Sequence, residues 1–249
     1  MSTIPRVFND LLAACEQPGC PVCRLVNQAV ERYLDNLFYE NVNDGELRAQ
    51  LRGSLGFCHE HAWLALKPGI GDALGIAIIY HDVLSNILRK FPQAEAASQN
   101  QGWLSSLLGQ MPRQFSDQVK EIANAMTPNQ PCPACEKRDQ ATELYLSELL
   151  KGLKNEQLLS ALNSSEGICL PHLRQAFKEH AQDGEAISAL FAISQKKLAA
   201  LDKELSEIIR KSDYRFRDEG FGEEGNAWRR VIRVSVGEKR GIEGQQVDR

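Results

Sequence analysis

Six cysteines and two histidines stand in a pattern suited to metal chemistry. Cys20-Pro21-Val22-Cys23 recurs as Cys132-Pro133-Ala134-Cys135, and Gly56-Phe57-Cys58-His59-Glu60-His61 recurs as Gly167-Ile168-Cys169-Leu170-Pro171-His172. A two-residue gap lets both side chains of a pair face one ion. A Cys-x-x-Cys joined by a Cys-x-x-His completes a tetrahedral Cys3His set, of the kind that holds structural zinc. Read copy by copy, the sets are Cys20, Cys23, Cys58 and His61, then Cys132, Cys135, Cys169 and His172. The stretches between the pairs, 24–57 and 136–168, suit a helix leading out and a helix leading back. Two Zn2+ per chain are the expected cofactors. An iron–sulfur cluster is the alternative, since cysteine sets with a histidine also ligate iron. A dithiol redox centre fits less well, because no βαβ context surrounds either Cys-x-x-Cys and the Cys-x-x-His would go unexplained.

The neighbouring candidates are weaker. His61 is preferred over His59 because only His61 has a counterpart, His172; Leu170 and Pro171 stand where the first copy has His59 and Glu60. A solvated face is expected for His59 and Glu60. Cys15, the seventh cysteine, reads as a plain, partly buried thiol. His81 and His180 read as surface or capping residues. The competing reading of the whole pattern is a duplicated set of buried cysteines.

The pairs are positioned by helices. Each Cys-Pro-x-Cys is expected to open one, with proline tolerated in the first turn, and each Gly-x-Cys-x-x-His another. Helix N-termini carry partial positive charge and favour thiolate over thiol. Between the motifs the copies keep matching: Gln28, Ala29, Glu31, Tyr33, Leu34 and Leu37 pair with Gln140, Ala141, Glu143, Tyr145, Leu146 and Leu149. After a one-residue shift, Leu47, Leu51 and Ser54 pair with Leu158, Leu162 and Ser165. An ordered series of this kind reads as a duplicated unit. Apolar residues recur at helical spacing in both copies. Helices are expected over Asp44–Leu51, from Cys58, and over Asp72–Lys90; in the second copy over Glu136–Leu150, Asn155–Leu162, Leu170–His180 and Glu185–Lys211. The stretch Pro92–Gln101 reads as a loop, and Trp103–Met126 as a helix broken near Pro112.

The expected architecture is therefore all-α: two tandem pseudo-repeat helical units, each stapled by one Cys3His site, with an irregular C-terminal tail. The expected divisions are 1–126, 127–211 and 212–249.

Composition bounds the rest. The 249 residues are 43% hydrophobic and 25% charged, with net charge −4. That balance lacks the basic footprint of a nucleic-acid binder. No apolar run approaches the ~20 residues that span a bilayer, and Met1–Arg6 shows no basic region leading into an apolar core. A cytoplasmic protein without membrane insertion is expected, in a compartment where spaced cysteines bind metal more often than they form disulfides. No phosphate-cradling glycine loop, Gly-x-Ser-x-Gly or His-Glu-x-x-His is present, so the chain reads as non-enzymatic.

The paired Cys-Pro-x-Cys and Gly-x-Cys-x-x-His elements resemble an uncharacterised family of bacterial proteins. So does the end of the chain, where Asp213-Tyr214-Arg215-Phe216 and Trp228 follow the last long helix. The resemblance implies a bacterial protein and supplies no activity. Tyr214, Arg215, Phe216, Arg217, Phe221, Trp228, Arg229 and Arg230 mix the aromatics and arginines that dominate binding hot spots. They are expected either to fold back over the metal-bearing helices or to meet a protein partner. The functional expectation is a zinc-stapled scaffold or adaptor; the alternative is an iron–sulfur or metal-handling redox protein.

Overall fold

The computed structural model describes residues 6–91 and 113–238, and among these every regular element is helical. The α-helices are α1 (Arg6–Cys15), α2 (Pro21–Asn36), α3 (Gly45–Gly53), α4 (His59–Leu64), α5 (Ala73–Leu88), α6 (Arg113–Ala125), α7 (Pro133–Gly152), α8 (Glu156–Ser164), α9 (Leu170–Glu179), α10 (Gly184–Lys211) and α11 (Ala227–Val236). A π-helical segment, Leu37–Asn41, extends α2, and two 3-10 segments, Tyr214–Glu219 and Glu223–Asn226, precede α11. The loop expected at Pro92–Gln101 and the kink at Pro112 lie outside the described residues. No described helix is long and apolar enough to cross a membrane.

The starts of these helices follow from their side chains. Asp44 caps α3 by accepting from Leu47 N–H at 2.7 Å, and Asn155 caps α8 by accepting from Gln157 N–H at 2.8 Å. Asp72 accepts from Leu74 and Gly75 N–H to start α5. Each such cap satisfies donors that the first turn leaves without a partner. Pro21 and Pro133 stand first in α2 and α7, where a missing N–H costs nothing.

The compact units do not follow the copies. One comprises Met1–Val30 with Arg138–Arg249, the other Glu31–Lys137, rather than 1–126, 127–211 and 212–249. The first unit gathers Leu11, Val22, Leu25, Leu146, Leu158 and Leu162 into one buried cluster. Each such side chain contributes roughly 1.5–3 kcal/mol on leaving water. There α1 packs on α8, and α11 packs on α9 and α10. The second unit buries Leu34, Leu37, Phe38, Leu51 and Ile79. There Phe38 and Phe57 lie with ring centroids 5.9 Å apart, and α3 packs on α5. Arg48 and Arg52 of α3 both reach Asp82 of α5, at 3.2 and 2.6 Å.

The end of the chain is more regular than expected. Instead of isolated anchors, residues 227–236 form α11, an amphipathic helix whose Ala227 is fully buried. Arg230 pairs with Glu204, and Arg233 with Glu166 at 3.3 Å. These contacts tie α11 to the first unit.

Candidate metal centres

Every candidate ligand occupies one of two positions on a helix. Cys58 and Cys169 are the N-caps of α4 and α9. Cys20 and Cys132 immediately precede α2 and α7, and their carbonyls accept the first helical hydrogen bonds, from Arg24 N–H and Glu136 N–H. The second member of each pair, Cys23, Cys135, His61 or His172, sits three residues on, within the first turn. This spacing turns both side chains toward the space in front of the helix, where the partial positive charge of the terminus lies. A left-handed glycine prepares each Cys-x-x-His: Gly56 has φ 89° and Gly167 φ 86°, a conformation that side chains resist. Ser54 and Ser165 hold these turns, the first donating to Gly56 O at 2.8 Å, the second accepting from Gly167 N–H at 3.0 Å.

The eight residues gather into two groups that could each hold a metal ion, but not copy by copy. Site 1 is Cys20, Cys23, Cys169 and His172; site 2 is Cys58, His61, Cys132 and Cys135. The expected sets, Cys20/Cys23/Cys58/His61 and Cys132/Cys135/Cys169/His172, are thus corrected. Each site takes its Cys-x-x-Cys from one of the two expected copies and its Cys-x-x-His from the other. Helix length gives the reason. The 16 residues of α2 span about 24 Å, whereas the 9 residues of α3 span only about 13 Å. In the second copy α7 has 20 residues and α8 again 9. The second helix is much shorter than the first each time, so it does not retrace the first from end to end.

Both groups have the dimensions of one tetrahedral ion. With Zn–S near 2.3 Å and Zn–N near 2.0–2.1 Å, the edges of a Cys3His tetrahedron are about 3.8 Å for S–S and about 3.6 Å for S–N. In site 1, Cys23 and Cys169 sulfurs are 3.5 Å apart, and His172 Nδ1 lies 3.6, 3.5 and 3.2 Å from Cys20, Cys23 and Cys169. In site 2, Cys58 and Cys135 sulfurs are 3.5 Å apart, and His61 Nδ1 lies 3.2, 3.7 and 3.4 Å from Cys58, Cys132 and Cys135. Within each group all ligand atoms fall inside 4.8 Å of one another.

The electrostatics also fit a cation. Burial pushes the Cys20 thiol well up. Contacts with Cys169 and then Cys20 hold Cys23 far below the usual thiol range. Burial opposes a charged His172, but Cys169 and Cys23 outweigh it and push the imidazole up to about 9. Without a cation, then, the Cys20 thiol holds its proton beside a favoured Cys23 thiolate and a favoured His172 imidazolium. A divalent ion displaces those protons and lets three thiolates share a buried space. In site 2 burial likewise raises Cys132, against backbone hydrogen bonds that lower it.

Surroundings separate the sites. In site 1 the three sulfurs belong to buried residues and only His172 is partly exposed; in site 2 His61 is 1% exposed, while Cys58 and Cys135 are partly exposed. Over site 1 lies the turn that follows α11. Glu238 N–H donates to Cys23 Sγ at 3.5 Å. A Cβ on Gly237 (φ 87°) would stand 3.3 Å from Cys23 Sγ and 3.7 Å from Cys169 Sγ. Gly237 and Glu238 were not among the candidates. Only the glycine after an arginine-rich amphipathic stretch marked the place, and nothing in the ligand motifs did. Beside this turn a cavity of about 420 Å3 reaches Cys23, Cys169 and His172.

The other candidates fall where their chemistry puts them. His59 is exposed, with its ring edge-on to Trp63; Glu60, expected in solvent, is half-buried. Cys15 is buried in the first unit, where burial pushes its thiol up to about 11. His81 is exposed, and His180 ends α9 with Nδ1 3.5 Å from Asp183.

Fold and site together define a helical protein with two closed Cys3His groups. The chain belongs to a family of unknown function (DUF6062), matched over residues 2–241. It is also similar to an uncharacterised 23.9 kDa protein in the xynA 3' region of Caldicellulosiruptor sp. (strain Rt8B.4), with 28% identity over 224 residues, covering 89% of this chain and 97% of that protein. No solved structure matches the chain.

Proposed function

We propose that the chain is a cytoplasmic, zinc-stapled helical scaffold that works through contact with another protein. The observation that carries this reading is closure: in each group four protein atoms, all within 4.8 Å of one another, surround one point. Four protein ligands leave no position for water or substrate, so such a centre stabilises structure and does not hydrolyse. The compactness also weighs against a multi-iron cluster, whose ligands bind different irons and stand farther apart. Zinc suits the donor set and needs no redox poise. For the partner, α11 offers an outward face. Trp228, Ile232 and Val236, four residues apart, are all exposed, and Arg229 stacks 4.9 Å from the Trp228 ring.

Elemental analysis of protein purified without chelator or oxygen is the test. Two zinc ions per chain are expected, and iron with labile sulfide would overturn the zinc assignment. Trp228→Ala is expected to lose a captured partner while keeping both zinc ions; unchanged capture would remove α11 from the contact.

A further inference from the structure

The two sites hold the same four donors but differ in which residues are partly exposed. In site 1 Cys20, Cys23 and Cys169 are buried, and the Gly237–Glu238 turn lies directly over two of the sulfurs. In site 2 Cys58 and Cys135 are partly exposed residues whose sulfurs stand 3.5 Å apart, while His61 and Cys132 are buried. The Cys23–Cys169 separation in site 1 is also 3.5 Å, so proximity alone does not distinguish the pairs. Access does.

We propose that site 2 is an oxidation-sensitive centre at which a small hydroperoxide joins Cys58 to Cys135 and expels the metal, while site 1 persists. This rests on the zinc reading above. A zinc-bound thiolate remains a nucleophile, and its susceptibility follows exposure. The Cys58 thiolate attacks one peroxide oxygen, the O–O bond breaks, and the other oxygen leaves as hydroxide, which takes a proton to become water. The Cys135 thiolate then attacks the Cys58 sulfenic sulfur, and the S–O bond breaks with loss of a second hydroxide, likewise protonated. The two sulfurs lose two electrons and form one disulfide; peroxide gains those electrons and, with two protons, becomes two waters. Cys132 and His61 alone cannot complete a four-coordinate site, and the zinc departs. A dithiol attacks the disulfide and restores both thiolates.

Full-length protein shown to carry two zinc ions is exposed to hydrogen peroxide. Pyridylazoresorcinol reports released zinc, and mass mapping of unreduced peptides locates the crosslink. One zinc is expected to leave at least about tenfold faster than the other, with a Cys58–Cys135 disulfide, and to be regained with dithiothreitol and added zinc. Equal release from both sites, first crosslinking at Cys23–Cys169, or release without any disulfide overturns the proposal and leaves the zinc reading intact. A starting preparation without two zinc ions instead sinks that reading and the proposal with it. Gly237→Ala sharpens the test, since its methyl would press on Cys23 from a left-handed backbone position. It is expected to speed release from site 1 toward that of site 2; an unchanged ratio of rates would remove the turn as the source of protection.

Discussion

Sites 1 and 2 share donors, helix positions and edge lengths, and they differ in what lies around them. In one the histidine is the partly exposed residue; in the other two cysteines are. Local sequence therefore dictates the coordination shell, because a cap residue and the residue three positions on face forward from any helix. The surroundings come from distant chain: Gly237 and Glu238 lie at site 1, far in sequence from every ligand motif. Identical motifs can thus yield one protected and one reactive centre.

The sharpest way to break this picture is to remove ligands in pairs. Cys20→Ser with Cys169→Ser strikes one site and should leave one zinc per chain. Cys20→Ser with Cys58→Ser strikes both and should leave none. Elemental analysis decides; the reverse outcome would restore copy-by-copy assembly. Structural zinc is worth about 10–16 kcal/mol in small peptides, comparable to the whole stability of a domain at about 5–15 kcal/mol, so the stripped unit should also lose helix.

A smaller effect follows from the cores. Leu162 and Leu51 occupy matched positions in the two copies and are 0% and 1% exposed. Truncating either to alanine should cost about 2–5 kcal/mol. Chelator challenge should then show Leu162→Ala loosening site 1 and Leu51→Ala loosening site 2. A variant that loosens both sites equally would show that the compact units do not protect their metals separately.

The smallest effect is electrostatic and belongs to the second unit. Burial works to raise the Asp82 carboxyl, but hydrogen bonds from Arg52 and Arg48 prevail and hold it below its ordinary value of 3.8. A depressed carboxylate contributes stability that is present above its unfolded pKa and lost as pH falls through the folded one. Asp82→Asn should therefore cost about 0.5–1 kcal/mol at pH 7, a figure kept low for solvent screening. Urea titrations of variant and parent should converge only as pH falls through and below the depressed folded pKa, where the carboxylate is protonated in both states of the parent. A gap that persists in acid would assign the loss to packing.

The ligands were legible because metal chemistry needs particular atoms at a particular spacing, and both are written locally. Helix positions were legible for the same reason: Asp44 and Asn155 announce starts, and the α10 stripe from Ile187 to Leu205 repeats at helical period. Which Cys-x-x-Cys meets which Cys-x-x-His was not legible. That choice depends on the unequal lengths of α2 and α3, and of α7 and α8, and on the cores that fix their directions. The α1 helix is absent from the expected elements although Leu11, Ala14 and Cys15 mark one buried helical face. Nor is α11 among the expected helices: its aromatics and arginines read as a tail that folds back or meets a partner, and Glu204 and Glu166, which pair with Arg230 and Arg233, come from distant chain.

The order in which the ligands occur along the chain has a consequence for synthesis. All four members of site 2 lie between Cys23 and Cys169, so the chain emerging from a ribosome completes the inner quartet at Cys135, before either Cys169 or His172 exists. The outer quartet then closes around a segment already pinned. Its covering turn is made later than any ligand, so cover over site 1 waits until Glu238 has followed His172 out.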